Sequence, residues 1–345
     1  MIGTGTNQAP LVSVIIPTYR RPDVIREAIF SILAQTYPNL EVIVVSDGPD
    51  AETAMAVRGI DDRVVYHELE VNSGPAAARN AGVAISRGEW IGFCDDDDAW
   101  LPRKLEAQLA IADPADKKTL IACRCVYRHS NREDIWPARP IGDDEDIADY
   151  ILRRDSLLGH PGIISIHSLL VPREIMLQVP LVSLKDHEDW AWLLEVWHEA
   201  GARVRFVWEP LVVYNIATES ISRSRRMNWE DSLAFAEDYR RWIGGSAYNS
   251  FLVTKVALKA KRRGDWHGLR IIAGKVLANK PSLLDLTFLA GMALLPSALL
   301  NLAWKKSLQS NDAPEAAVLS GLGMAGSLST VAASGDPGKK RELPQ

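Results

Sequence analysis

The chain has 345 residues, 47% hydrophobic and 24% charged, which is the make-up of a globular protein with room for one large domain plus additions, or for two domains. A net charge of −5 excludes a general nucleic-acid binder, which would carry a basic surplus. Cys94, Cys123 and Cys125 are too few for a disulfide framework and lack the second ligand pair of a zinc site, so a reducing compartment is expected. The opening residues MIGTGTNQAP contain neither the basic nor the apolar region of a secretory signal, and none is expected.

Strand and helix signals alternate from Val12 onward. Val12 to Pro17 is a short β-branched run, and Asp23 to Ala34 places Ile25, Ala28, Ile29, Ile32 and Leu33 at helical spacing. Glu41 to Ser46 reads as a second strand, Glu52 to Arg58 as a short helix, Val64 to Leu69 as a third strand and Pro75 to Ser86 as an alanine-rich helix. Glu89 to Cys94 is the fourth strand, Leu101 to Ile111 the next helix and Leu120 to Tyr127 another strand. Continuous apolar strands alternating with helices predict a mostly parallel, Rossmann-like sheet covered on both faces. A less regular half follows, with strands at Ile163 to Val171 and Arg203 to Trp208 and a helix at Glu188 to Ala200. Beyond Asn228 the pattern is helical: Trp229 to Trp242, Ala247 to Arg262 and Trp266 to Ala278. The segment Leu286 to Trp304 has no charge over 19 residues, but Pro296 interrupts it, which favours a buried or interfacial helix pair over a membrane span. From Ser310 onward Ala, Gly, Ser and Pro dominate without periodicity, as in a disordered tail.

In a parallel sheet of this kind ligands bind beyond the carboxyl ends of the strands. Those ends carry Pro17-Thr18-Tyr19-Arg20-Arg21, Asp47-Gly48 and the run Asp95 to Asp98. Four adjacent carboxylates repel one another unless a cation lies among them or one takes up a proton. An oxygen-only cluster suits Mg²⁺ or Mn²⁺ shared with substrate phosphates, although acidic turns and helix starts are common. Neither G-x-G-x-x-G after the first strand nor G-x-x-x-x-G-K-[ST] is present, so a nucleotide here would be held through a metal rather than a glycine-rich loop.

The stretches VSVIIPTYRRPDVIREAIFSILAQTYPNLEVIVVSDGPD, NSGPAAARNAG and GEWIGFCDDDDAWLPRKLE, and later His187-Glu188-Asp189-Trp190, together resemble a family 2 glycosyltransferase. The resemblance implies the GT-A nucleotide-diphospho-sugar transferase fold with a C-terminal all-helical extension. The expected organisation is a short arm over residues 1–11, a GT-A domain over 12–227 with donor half 12–130 and acceptor half 131–227, a helical extension over 228–309 and the tail 310–345. By the same resemblance Pro17, Thr18 and Tyr19 line the nucleobase and ribose, Asp47 accepts from the base, and Arg79 approaches the base or diphosphate. Asp47-Gly48 reads equally as a plain turn. Within the acidic run the register is open. Asp95 and Asp97 are the expected metal pair, with Asp97 coordinating directly and Asp96 facing the ribose, while Asp98 has no role assigned beyond capping the helix near Leu101.

Asp189 is the expected general base for an inverting displacement, although Glu188-Asp189 also suits a helix start on dipole grounds. Trp190, Trp192 and Trp197 supply either sugar-stacking faces or core packing, and His167-Ser168 either borders the acceptor or is an interior pair. Arg223, Arg225 and Arg226 form a basic loop or a solvated charge run. Many relatives carry histidine in a tyrosine-arginine-x-histidine pattern, where this chain has Tyr214-Asn215-Ile216-Ala217. The implied activity is transfer of a single sugar from a UDP-, dTDP- or GDP-sugar to a glycan or lipid-linked acceptor in cell-envelope polysaccharide synthesis, using Mn²⁺ or Mg²⁺. The implied location is the cytoplasm or the inner face of the plasma membrane, with peripheral contact through the C-terminal helices and no nucleic-acid partner. A non-catalytic subunit that binds sugar nucleotide or glycan is the competing reading, and a nucleotidyltransferase lacks its lysine-bearing triphosphate loop.

Overall fold

The computed structural model describes residues 9–129, 132–156, 162–216 and 228–294. The Arg223 to Arg226 loop, the part of the apolar segment from residue 295 onward, the tail and nearly all of the N-terminal arm lie outside the described residues.

A nine-stranded sheet forms the frame. Its first half is parallel: β1 (Val12–Thr18) lies between β2 (Leu40–Ser46) and β4 (Trp90–Phe93), and β3 (Val64–Glu68) lies outside β2. All seven residues of β1 and of β2 are buried because alternate side chains feed separate cores. Ile15, Ile43, Val45, Ile91 and Phe93 enter one cluster, and Val12, Val14, Ile16, Val42 and Val44 the other. Two-sided burial is what an unbroken apolar strand encodes. Helix α1 (Ile25–Leu33) covers the second cluster with Ile25, Ala28, Ile29 and Ile32. On the opposite face, α3 (Pro75–Ile85) comes so close that a Cβ on Gly82 would stand 2.5 Å from the Ile15 side chain, so only glycine fits there.

Across β4 the sheet changes character. Here β5 (Ala99–Trp100) pairs antiparallel with β9 (Arg203–Asn215), β8 (Leu170–Pro172) runs antiparallel between β4 and β6 (Thr119–Arg128), and β6 pairs parallel with β9 and antiparallel with β7 (Glu133–Trp136). Three expectations are corrected in this half. The span Ile163 to Val171 is not a continuous strand. A 3-10 turn at Ile166–Ser168 interrupts it, closed by Ser168 N–H donating to Ser165 O and by the Ser168 hydroxyl donating to the same carbonyl. The strand expected to end at Trp208 continues to Asn215 through a bulge, where Val207, Pro210 and Val212 oppose Cys123, Arg124 and Cys125. The helix expected from Leu101 starts at α4 (Lys104–Ile111) because Ala99–Trp100 is drawn into the sheet first.

The remaining helices are α2 (Ala51–Val57), α5 (Ile147–Leu152), α6 (Arg173–Gln178) and α7 (Glu188–His198), followed by an extension of α8 (Trp229–Asp238), α9 (Gly245–Phe251), α10 (Ala257–Arg263), α11 (Trp266–Ala278) and α12 (Leu283–Leu294). A π-helical turn, Leu252–Val256, joins α9 to α10 without a break. The extension shares a core with the sheet: Phe235, Phe251, Val253 and Val256 pack in the same cluster as Trp192, Leu194 and Phe93. No helix of the described residues is long and apolar enough to cross a membrane.

Candidate active site

The carboxyl ends of β1, β2 and β4 bring their polar residues to one edge. At the end of β1 the Thr18 hydroxyl donates to Asp96 Oδ2 at 2.7 Å, and Arg21 reaches Asp96 Oδ1 at 2.5 Å and Asp97 Oδ2 at 2.9 Å. Beyond β2 the Asp47 carboxylate accepts the backbone N–H groups of Ser73 (2.7 Å) and Gly74 (2.9 Å), tying the loop before α3 to the sheet edge. Gly48 follows with φ +118°, a conformation closed to most side chains, and Tyr19 stands half-exposed beside it. Pro17 is buried within β1.

Arg79 is the pivot between the two sides. From α3 its buried guanidinium donates to Asp95 Oδ1 at 2.8 Å and to Glu188 Oε1 at 2.6 Å. Burial alone would lower its affinity for a proton, but the charges of Asp95 and Glu188 outweigh that and raise it. The guanidinium is enclosed, with its two terminal nitrogens engaged by the two carboxylates, so the structure does not present it to an open nucleotide pocket. Glu188 and Asp189 open α7, and Asp189 Oδ2 accepts from the N–H of Ile166 at 3.3 Å, so this helix start is anchored to the 3-10 turn.

The same turn delivers His167. Its Nδ1 lies 3.6 Å from Asp95 Oδ1 and 3.8 Å from Asp98 Oδ2, and its ring rests 5.4 Å from that of Tyr214. Burial pushes the imidazole down, yet Asp95 and Asp98 win and hold it up at about 9. Burial raises Asp98 to about 8 and Asp96 to about 6, while His167 and Arg79 overcome the same burial at Asp95 and lower it. Neither Asp98 Oδ2 nor His167 Nδ1 has a hydrogen-bond partner among the described residues, although both atoms are enclosed. Buried polar atoms normally have one. Asp95, Asp98 and His167 offer ligand atoms within 4.8 Å of one another, a donor set that fits a divalent cation.

Asp98 does not cap the following helix, whose first turn is preceded by Arg103. Its Oδ1 instead accepts the N–H of Asn215, and the Asn215 amide donates to the carbonyl of Asp97. Asn215 therefore fastens the acidic loop to the end of β9. Trp192 is enclosed, donating from Nε1 to Val179 O at 2.8 Å, so its use is structural, whereas Trp190 stacks on His187. Sequence reading left the site role of His167 open and missed the Arg79–Glu188 pair. The one signal for either was a polar residue set in an apolar stretch.

A parallel-stranded sheet with an acidic loop at its carboxyl edge and a helix start bearing carboxylates opposite defines a nucleotide-diphospho-sugar transferase architecture. Residues 13–177, just under half of the chain, match the model of the family described as Glycosyl transferase family 2. An uncharacterized glycosyltransferase of Rickettsia prowazekii is 41% identical over 119 residues, 34% of this chain and 37% of that protein, so the match spans well under half of the relative's length. The putative teichuronic acid biosynthesis glycosyltransferase TuaG of Bacillus subtilis is 29% identical over 223 residues, 64% of this chain and 84% of that protein. Among solved structures, the mannosyltransferase PcManGT from Pyrobaculum calidifontis, in complex with GDP-Man and Mn²⁺, superposes with a TM-score of 0.49 at 20% identity, covering 87% of this chain and 89% of that one.

Proposed function

We propose that the chain moves a single sugar from a nucleotide-diphosphate donor to a hydroxyl of a glycan or lipid-linked acceptor, with inversion, in cell-envelope polysaccharide synthesis. The observation that carries this reading is the meeting, at one sheet edge, of the acidic run Asp95 to Asp98 with Glu188 and Asp189 from a distant helix start. The match to the family model and the likeness to TuaG support it.

On the donor side, Tyr19 and Pro17 flank the nucleoside, and Thr18 orients Asp96 toward the ribose. Each oxygen of Asp47 already accepts one backbone N–H, and a carboxylate oxygen can accept a second from the base. Asp95, Asp98 and His167 would hold the metal. Their mixed carboxylate and imidazole donors suit Mn²⁺ better than Mg²⁺. Asp97, the expected direct ligand, has its Oδ2 engaged by Arg21 at 2.9 Å and is not part of that set. Bound there, a divalent cation neutralises charge growing on the departing diphosphate.

Asp189, held by the N–H of Ile166, takes the proton from the acceptor hydroxyl as that oxygen attacks the anomeric carbon. Glu188 is committed to Arg79 and orients rather than accepts. Leu283 and Leu294, exposed on α12, support contact with the inner membrane face, where lipid-linked acceptors lie.

The test pairs Asp189→Asn with wild type across UDP-, dTDP- and GDP-sugars in Mn²⁺. Transfer should fall by roughly a thousandfold or more while nucleotide binding, followed by thermal shift, stays within about twofold. Undiminished turnover would remove Asp189 from the mechanism.

A further inference from the structure

His187 directly precedes the helix start that carries Glu188 and Asp189, and its backbone is left-handed, with φ +64°. A residue with a Cβ holds that conformation only where its surroundings enforce it. Here Trp190 of the same helix and, from the helical extension, Ser232, Phe235, Phe251 and Lys259 surround His187. The imidazole stacks on Trp190 at 4.8 Å, lies tilted against Phe235 at 5.1 Å and meets Phe251 edge-on at 5.2 Å. Its Nε2 stands 2.9 Å from the hydroxyl of Ser232. Lys259 donates to that same hydroxyl at 2.6 Å and to the Asp186 carboxylate, which in turn accepts the backbone N–H of His187 at 3.1 Å. Ser232, Phe235, Phe251 and Lys259 lie on α8, α9 and α10, whereas Asp186 to Asp189 belong to the sheet-bearing part.

No step of the proposed transfer uses this network, yet it converges on the residue that sets the entry angle of α7. The carbonyl of His187 accepts the helix's first backbone bond, from Ala191 N–H at 2.9 Å. Rotation of the His187 backbone out of the left-handed region would therefore carry the first turn, and both carboxylates, with it. The imidazole is neutral, because burial pushes it down to about 3, so it acts as a fixed hydrogen-bond partner rather than as an acid.

We infer that the helical extension positions the carboxylates of the base side, with Lys259, Ser232 and Asp186 as positioning residues that lock His187 in place. This rests on the reading of Asp189 as the base, and it gives the extension a part in turnover that membrane contact alone would not.

The test uses the full chain with Lys259→Met, Lys259→Arg and Ser232→Ala, with UDP-glucose, UDP-N-acetylglucosamine and GDP-mannose as donor probes. Lys259→Met should lower kcat about tenfold or more with donor Kd within about twofold, because a carboxylate displaced by an ångström loses chemistry before binding. Lys259→Arg, which keeps the charge and a donor, should recover most of that loss. Amide exchange over residues 188–191 should quicken about tenfold in Lys259→Met while the sheet strands stay protected. If Lys259→Met fails to accumulate as folded protein, Ser232→Ala carries the same expectations at roughly a threefold loss. Turnover within twofold of wild type, or unchanged exchange over residues 188–191, overturns the inference. Undiminished turnover in Asp189→Asn would defeat the base assignment alone, and the exchange measurement would still decide the positioning role.

Discussion

On one side of the candidate site, Thr18, Asp47 and the aspartates Asp95 to Asp98 stand at the ends of neighbouring parallel strands. On the other, His167, Glu188 and Asp189 arrive on a 3-10 turn and a helix start to which no strand of the parallel half leads. The first side needs little beyond strand register, since β1 pairs with β2 as far as Thr18 and Ser46, and β4 pairs with β1 over its whole length, ending at Phe93 opposite Ile15. The second needs a chain of side-chain contacts: Ile166 N–H on Asp189, Arg79 on Glu188, and the extension on His187. Architecture delivered by backbone pairing tolerates remote substitution, while architecture delivered by packed side chains transmits it.

Asp95 belongs to both sides, through Arg79 and His167, so Asp95→Asn should break the comparison most severely. Turnover should drop about a hundredfold or more, together with the response of donor binding to Mn²⁺, measured by titrating metal into the protein with UDP. An unaltered Mn²⁺ response would separate Asp95 from the metal.

Next is Arg79→Met, which leaves Asp95 and Glu188 facing each other without their shared cation. A buried pair broken on one side costs about 3–5 kcal/mol, whereas Arg21→Met, at a guanidinium 41% exposed, should cost about 1 kcal/mol or less in urea unfolding. Equal losses would mean that the pivot is no more structural than the pair made by the half-exposed Arg21.

The smallest effect sharpens the base side through pH. Folded His187 is held down at about 3, against about 6.5 for a free imidazole, so the native state binds fewer protons than the unfolded one. Its contribution is complete above about pH 6.5 and is lost as pH falls toward 3. His187→Asn should flatten stability against pH between about 6.5 and 4, followed by urea unfolding at each pH. A slope equal to wild type there would mean that the ring is not buried neutral.

The donor side was the legible one. Its strands are unbroken apolar runs ending in polar residues, and a strand end in a parallel sheet can be found from sequence because polarity changes abruptly there, as at Ser46-Asp47 and Cys94-Asp95. A role for Asp189 was suggested only by the family pattern, since two acids at a helix start carry no signal beyond the helix dipole. The turn at Ile166–Ser168 was hidden because IISIHSLLV has the composition of a strand. The turn is closed by Ser168 on the carbonyl of Ser165 and is met by Asp189, 23 residues on from Ile166, whose N–H it accepts. The bulge in β9 was missed for a like reason, as Trp208 and Glu209 look like a strand's end although pairing resumes beyond Pro210. Asn215, at the arginine position of the relatives' pattern, fastens the acidic loop, while the histidine position, Ala217, lies outside the described residues, and the imidazole beside Tyr214 is that of His167.

The π-helical turn Leu252–Val256 has a consequence of phase. A turn of that kind holds one residue more than the α-helical pitch, and each residue advances the helix by about 100°. Phe251 precedes it and Lys259 follows it, yet both reach the same neighbourhood around His187. Removing the extra residue would wind Lys259 about a quarter-turn away from Asp186 while leaving Phe251 on the imidazole. The lysine's alignment with the helix start that carries Asp189 is thus set by a counting irregularity in the backbone as much as by the lysine itself.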